Sequence, residues 1–337
     1  MKKKIYNKII IIFFIFAMGL ALSVESAEIS FAPVFDLPIK CTLGKDCYIM
    51  HYVDVDSGPG AMDFGCGRQT YDKHDGTDFG IPDMEAMKRG VPVLAAASGV
   101  VLRVRDGADD QIIDDRTGRK DVENIECGNG VVLSHDNGWQ TQYCHLRKES
   151  VAVRQGERVK RGALLGMVGA SGLTSFPHVH FTVRHSGRVI DPFTGMKNDS
   201  GCNVAHHPIW GKTPDYMPAG LIRAGFASKP PEQEALWRGE FAETKANSEK
   251  LAALLFWVHV FGTLKGDQEH ITLIGPDKRI VADTQKPLMK SNKSWISYTG
   301  KRNTIERPLI KGTWRGIYQL KRDNRTLIHL ERTFLVE

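Results

Sequence analysis

The 337-residue chain has no Cys-x-x-Cys pair and no His-Glu-x-x-His segment. The first absence leaves a thiolate zinc site without support, and the second removes a helix-borne metal site with its glutamate base. Beyond residue 27 no apolar run approaches the roughly 20 residues that a membrane span needs. Basic residues do not gather into a stripe with interleaved aromatics, so nothing argues for a nucleic-acid surface. Between about residues 61 and 204 there is no sustained helical periodicity. Composition (42% hydrophobic, 25% charged, 33 Gly, 15 Pro) excludes a disordered chain, a collagen-like repeat and a coiled coil. The length suits two domains.

The N-terminus reads as an export signal. Lys2, Lys3, Lys4 and Lys8 precede an unbroken apolar stretch from Ile9 to Leu22, whose 14 residues are short for a span and fit the core of a secretory signal. We take residues 1–27 as the signal peptide, with cleavage after Ser23 or after Ala27 both open and an uncleaved anchor as the alternative. No Cys follows either position, which argues against a lipoprotein. Export places the chain in the periplasm or outside the cell. Removing residues 1–27 lowers the formal charge from +6 to +3 by taking away four Lys and one Glu. The mature chain is mildly basic, compatible with an anionic polymer outside the cytoplasm.

Six Cys remain, an even count that points to disulfides in an oxidising compartment, with buried free thiols as the alternative. Cys41 and Cys47 enclose a short loop. Cys127 and Cys144 flank a hairpin that turns at Asp136-Asn137-Gly138, which puts them nearly opposite each other. Cys66 and Cys202 are left to tie the start of a domain to its end.

The fold class is mainly β. Residues 28–60 read as an irregular N-terminal segment, 61–205 as an antiparallel β-sheet domain, 206–235 as a Pro-marked linker and 236–337 as a β-sandwich-like accessory domain. Val91–Val104 reads as two strands about a turn at Ser98-Gly99. Asp106–Glu126, with eight acids against three bases, reads as a solvated loop insertion. Trp237, Trp257, Trp295 and Trp314 are expected in the core of the last domain.

Three groups of His carry the chemistry: His74-Asp75-Gly76-Thr77-Asp78, Tyr143-Cys144-His145-Leu146 and His178-Val179-His180. On a strand, His178 and His180 share one face. Each group is weak alone. Together, two imidazoles and a carboxylate make a three-ligand zinc site with an open fourth position, and two more His stand ready for proton transfer.

These motifs, in this order, resemble the lysostaphin-type zinc metallopeptidases that cut cell-wall peptides. Asn129–His135, Gln155–Gly166, Gly169-Ala170-Ser171-Gly172 and Asp191-Pro192 add to the likeness, which covers about residues 70–195. The resemblance implies that His74, Asp78 and His180 ligate Zn²⁺, and that His145 and His178 flank the water and the scissile carbonyl. It also implies a compact antiparallel sheet and a peptidoglycan peptide substrate. Cys144 departs from a plain motif, since as a ligand it would change the assignment. Residues 36–66, with Asp54, Asp56 and Asp63, are expected to pack over the cleft. His51, His135, His185, His206, His207, His259, His270 and His329 lack the matching context. The alternatives are a non-catalytic scaffold that regulates other wall hydrolases, and a bacteriocin-like lytic protein. Five intact positions weigh against the scaffold.

Overall fold

In chain order the strands of the first half are β1 (Tyr48–His51), β2 (Thr77–Gly80), β3 (Pro92–Leu94), β4 (Gly99–Arg105), β5 (Asn129–Ser134), β6 (Trp139–Leu146), β7 (Arg158–Val159), β8 (Leu164–Met167), β9 (His178–His185) and β10 (Arg188–Ile190), with one short helix, α1 (Met84–Arg89). The second half adds β11 (Gly220–Ala227), α2 (Gln233–Trp237), β12 (Lys245–Ala246), β13 (Ala253–Thr263), β14 (Gln268–Ile274), β15 (Ile280–Pro287), β16 (Asn292–Arg302), β17 (Gly312–Arg322) and β18 (Arg325–Val336). This computed structural model describes Met1 and residues 32–113, 119–242 and 245–337. The expected signal peptide lies outside the described residues. Among those described, no helix is long and apolar enough to cross a membrane.

An eight-stranded antiparallel sheet, in the order β1-β2-β9-β6-β5-β4-β7 with β10 added to β9, forms the first half. Val131 and Leu133 on β5, Thr141 and Tyr143 on β6, and Val179, Phe181 and Val183 on β9 are buried, at the alternate positions that face a core. The sheet begins earlier than residue 61, because β1 lies within the 28–60 segment and forms its edge. The two strands of Val91–Val104 do not pair with each other. β3 joins β8, while β4 joins β5 and β7.

Two sheets, β11-β13-β16 and β12-β18-β17-β14-β15, make the C-terminal sandwich. Phe226, Phe256, Val258 and Val260 from one meet Ile271, Leu273, Trp314, Tyr318 and Phe334 from the other in a single apolar cluster. β11 pairs along its length with β13, so the stretch 206–235, expected to be a linker, already contains a sandwich strand from Gly220 onward. Trp237, Trp257 and Trp314 are buried and Trp295 half-buried.

β13 is apolar on both faces for a structural reason. Leu254, Phe256, Val258 and Val260 face the sandwich core, whereas Trp257 packs with Leu236 of α2 and Phe261 packs with Tyr48, Met50 and Phe176 of the first half. A strand covered on both sides reads as one continuous hydrophobic run. The Tyr48 and Phe261 rings stack across the seam at 5.4 Å. Ala32–Glu337 pack as one unit.

All three expected disulfides form: Cys41–Cys47, Cys66–Cys202 and Cys127–Cys144. The acidic stretch after β4 is solvated, with Asp106 and Asp109 exposed, and is also tied down by backbone amides. Asp106 accepts from the amides of Glu149 and Val151, and Asp110 from those of Lys148 and Ala170, which fastens the described part of the loop to the segments after β6 and β8.

Candidate metal centre

Three neighbouring strands supply the site. In the register of β2 and β9, Asp78 stands opposite His180, and Gly80 opposite His178. On the other side of β9, Cys144 of β6 stands opposite His180. Strict alternation would turn His145 away from this face. A register slip between β5 and β6 and a left-handed φ of 60° at His145 turn it back. Such a conformation is uncommon outside Gly, and a bulge beside a site re-aims a side chain. His74 comes from the loop before β2.

His74 Nε2 lies 3.1 Å from Asp78 Oδ1 and 3.1 Å from His180 Nδ1, and His180 Nδ1 lies 2.9 Å from Asp78 Oδ1. Two imidazole nitrogens and one carboxylate oxygen therefore converge on one point. Gly76 makes room beside them, since a Cβ there would lie 2.5 Å from His180 Nε2.

The outer partners of the two rings decide which nitrogens carry protons. His74 Nδ1 is 2.6 Å from the Tyr52 carbonyl, which only accepts, so Nδ1 donates and Nε2 presents a lone pair. His180 Nε2 is 3.1 Å from Asp75 Oδ1, so it donates there and Nδ1 presents a lone pair. Three lone pairs thus face one another without a shared proton, which a bound cation resolves. Without a cation, His180 takes a second proton. Burial opposes that, but Asp75 and Asp78 push its pKa up to about 9. Burial would raise the Asp78 carboxyl, yet the surrounding imidazoles hold it well below the usual range. Asp75, despite burial, is lowered to about 2 by His180 and Arg184, whose Nη2 sits 2.8 Å away. The donor set fits a divalent ion such as zinc held by three protein groups with one position open.

Beside this triangle stand His145 and His178. His145 donates Nδ1–H to the Ser171 carbonyl at 2.8 Å, and His178 Nδ1–H to the Phe176 carbonyl at 2.9 Å. The Nε2 of His145 is left as an acceptor, and that of His178 lies 3.4 Å from Asp78 Oδ1. Burial, and then the neighbouring His178 and His180, push the His145 pKa well down, which keeps it neutral. All five residues that the sequence singled out come together.

The departures resolve as well. Cys144 is disulfide-bonded to Cys127 and carries no thiolate to offer a metal. A second grouping, Cys41, Asp46 and Cys47, is likewise closed by its disulfide. Of segment 36–66, Met50 and His51 reach the cleft wall, but the carboxylates do not. Asp54 accepts from the amides of Met62 and Lys73, Asp63 from those of Gly65, Gly67 and Gln69, and Asp56 from that of Gly58. The sequence missed His51, whose Nδ1 lies 2.8 Å from Asp78 Oδ2, and Asp75, which sits inside a quoted motif but was given no role. Spacing could have flagged Asp75, next to His74. It carried no signal for His51.

A cleft of about 470 Å³ opens over the site. Asp78, His145 and His178 line one side, and Trp237, Lys293 and Ser294 of the C-terminal half line the other. Phe176 bridges them, stacked on His178 at 4.3 Å and on Trp237 at 5.7 Å.

This stretch of the chain is similar to several known proteins. Peptidoglycan DD-endopeptidase ShyA of Vibrio cholerae is 33% identical over 124 residues, 37% of this chain and 22% of that protein. DD-carboxypeptidase/endopeptidase Mpg of Neisseria meningitidis is 33% identical over 123 residues, 36% of this chain and 23% of that protein. The matched stretch spans less than a quarter of either relative. The catalytic domain of lysostaphin from Staphylococcus simulans aligns with 25% identity and a TM-score of 0.27 over 40% of this chain and 85% of that domain. Residues 72–192, which hold all five site residues, match the model of peptidase family M23.

Proposed function

We propose that the chain is an exported zinc-dependent endopeptidase that hydrolyses peptide cross-links of peptidoglycan. The observation that carries this reading is the convergence of His74 Nε2, Asp78 Oδ1 and His180 Nδ1 within 3.1 Å of one another, with His145 and His178 beside them. His74, Asp78 and His180 hold the metal. Zinc bound there supplies Lewis acidity and makes water nucleophilic near neutral pH.

The remaining work falls to the chain's own residues. His145 and His178, fixed by their Nδ1–H bonds, offer Nε2 to take a proton from the attacking water and return it to the leaving amine. Protonated, either ring stabilises the oxyanion of the tetrahedral intermediate. Asp75 orients His180 and keeps its Nδ1 lone pair inward. The cleft between the two halves admits an extended peptide. The substrate reading is supported by relatives named as peptidoglycan DD-endopeptidases, and export by three disulfides, which persist in oxidising compartments.

The test is digestion of purified sacculi by zinc-loaded protein, with products read by mass spectrometry. About one zinc per chain and new amino termini at cross-link peptides are expected. A chain that takes up no zinc and releases nothing overturns the reading and favours a non-catalytic scaffold.

A further inference from the structure

β1 and β2 pair with Tyr48 opposite Gly80 and Ile49 opposite Phe79, and then slip, so that His51 rather than Met50 stands opposite Asp78. In unbroken register His51 would meet Thr77. The extra residue, Met50, turns instead into the apolar seam with Phe176, Trp237 and Phe261. A bulge of this kind re-aims a side chain. Here it delivers the His51 ring to Asp78, with Nδ1 2.8 Å from Oδ2. A carboxylate oxygen only accepts, so Nδ1–H donates. The other oxygen, Oδ1, is the one that meets His74 and His180.

Packing alone does not account for an imidazole at this place. The residue is 7% exposed, and its Nε2 is buried without a hydrogen-bond partner among the described residues. A Phe or Met would fill the space without an orphaned nitrogen. What His51 provides is the bond to Oδ2.

We propose that His51 is a positioning residue of the metal centre. It ties down Asp78 Oδ2, so that the carboxylate offers a single, fixed oxygen to the cation. Carboxylates bind cations through one oxygen or two, and an untethered Asp turns freely between the two modes. The tether sets the carboxylate plane and points Oδ1 at His74 Nε2 and His180 Nδ1. This inference rests on reading His74, Asp78 and His180 as the zinc ligands. Removing such an outer hydrogen bond typically costs about 10- to 100-fold in metal affinity or activity.

The experiment compares the wild-type chain with His51→Phe and His51→Asn. It measures zinc affinity by competition with a chromophoric chelator, the melting temperature of the zinc-free protein, and kcat and KM on soluble cross-linked peptides. His51→Phe should hold zinc about 10- to 100-fold more weakly and lose kcat by a similar factor, with KM within about twofold. His51→Asn, whose Nδ2–H sits where the imidazole Nδ1–H does, should recover most of both. The zinc-free melting temperature should not track these losses. A His51→Phe protein with wild-type zinc affinity and kcat overturns the proposal, as does a His51→Asn protein no better than His51→Phe. A wild-type chain with no zinc affinity overturns the metal-centre reading itself, which is a separate result.

Discussion

His145 and His178 lie with ring centroids 4.6 Å apart and planes inclined by 49°, and each ring is fastened through Nδ1 to a main-chain carbonyl. His178 Nε2 stands 3.4 Å from Asp78 Oδ1, against 2.9 Å for His180 Nδ1, and that difference separates the two kinds of histidine experimentally. His145→Ala should lower kcat by about 10²- to 10⁴-fold while zinc stays bound. His180→Ala should empty the site. Zinc analysis alongside sacculus digestion checks both, and loss of zinc from the His145 variant would mean that the roles are exchanged.

Asp75 holds His180 from outside, at 3.1 Å from Nε2, and is itself held by Arg184. Asp75→Asn removes a charged acceptor and frees the ring to turn. Zinc affinity should fall by about 10- to 100-fold, measured by chelator competition.

Lys293 brings a cation to the cleft wall, with its ammonium 4.8 Å from the centre of the Tyr71 ring. Wall peptides carry free carboxylates, so Lys293→Glu should raise KM by about three- to tenfold and leave kcat within about twofold. Amidated peptides, which lack that charge, should show no such change. Steady-state kinetics on the paired substrates decide it.

Asp191 is buried, with Oδ1 accepting from the Phe193 amide at 2.7 Å and Oδ2 without a partner among the described residues. Burial pushes its pKa up to about 7, against the lowering pull of the Phe193 and Thr194 amides. An unfolded Asp titrates near 4, so between about pH 4 and pH 7 the folded chain keeps a proton that the unfolded chain gives up. The contribution is complete below about pH 4 and is lost as pH rises through about 7, on the order of 4 kcal/mol in all. Asp191→Asn cannot titrate, so urea melts at pH 5 and pH 8 should differ less for this variant than for the wild type.

Local patterns in the sequence carried two of the disulfides and the three short motifs of the site, because each depends on a short spacing, whereas Cys66–Cys202, 136 residues apart, followed only by elimination. His178 and His180 needed only a strand, and Cys127 and Cys144 only a hairpin. The edge strand Tyr48–His51 and the sandwich strand Gly220–Ala227 were not legible, since both are defined by partners far along the chain. His51 was invisible for a further reason. Its role depends on a one-residue slip against β2, and no spacing within a single segment encodes a slip. Asp106 is exposed and Asp110 partly exposed, as their charge suggests, but the backbone amides they accept from are set by the folded loop and were not legible.

β13 has no free side. One face closes the sandwich, and the other is spent on Tyr48, Met50, Phe176 and α2. A truncation that keeps only the catalytic sheet would lay bare Tyr48, Met50 and Phe176, strip Trp237 from the groove and leave Phe176 to buttress His178 alone. The C-terminal half is packed against the first through this seam. It is the far bank of the groove, and swapping it between homologues should alter which peptides are cut rather than where the protein lodges.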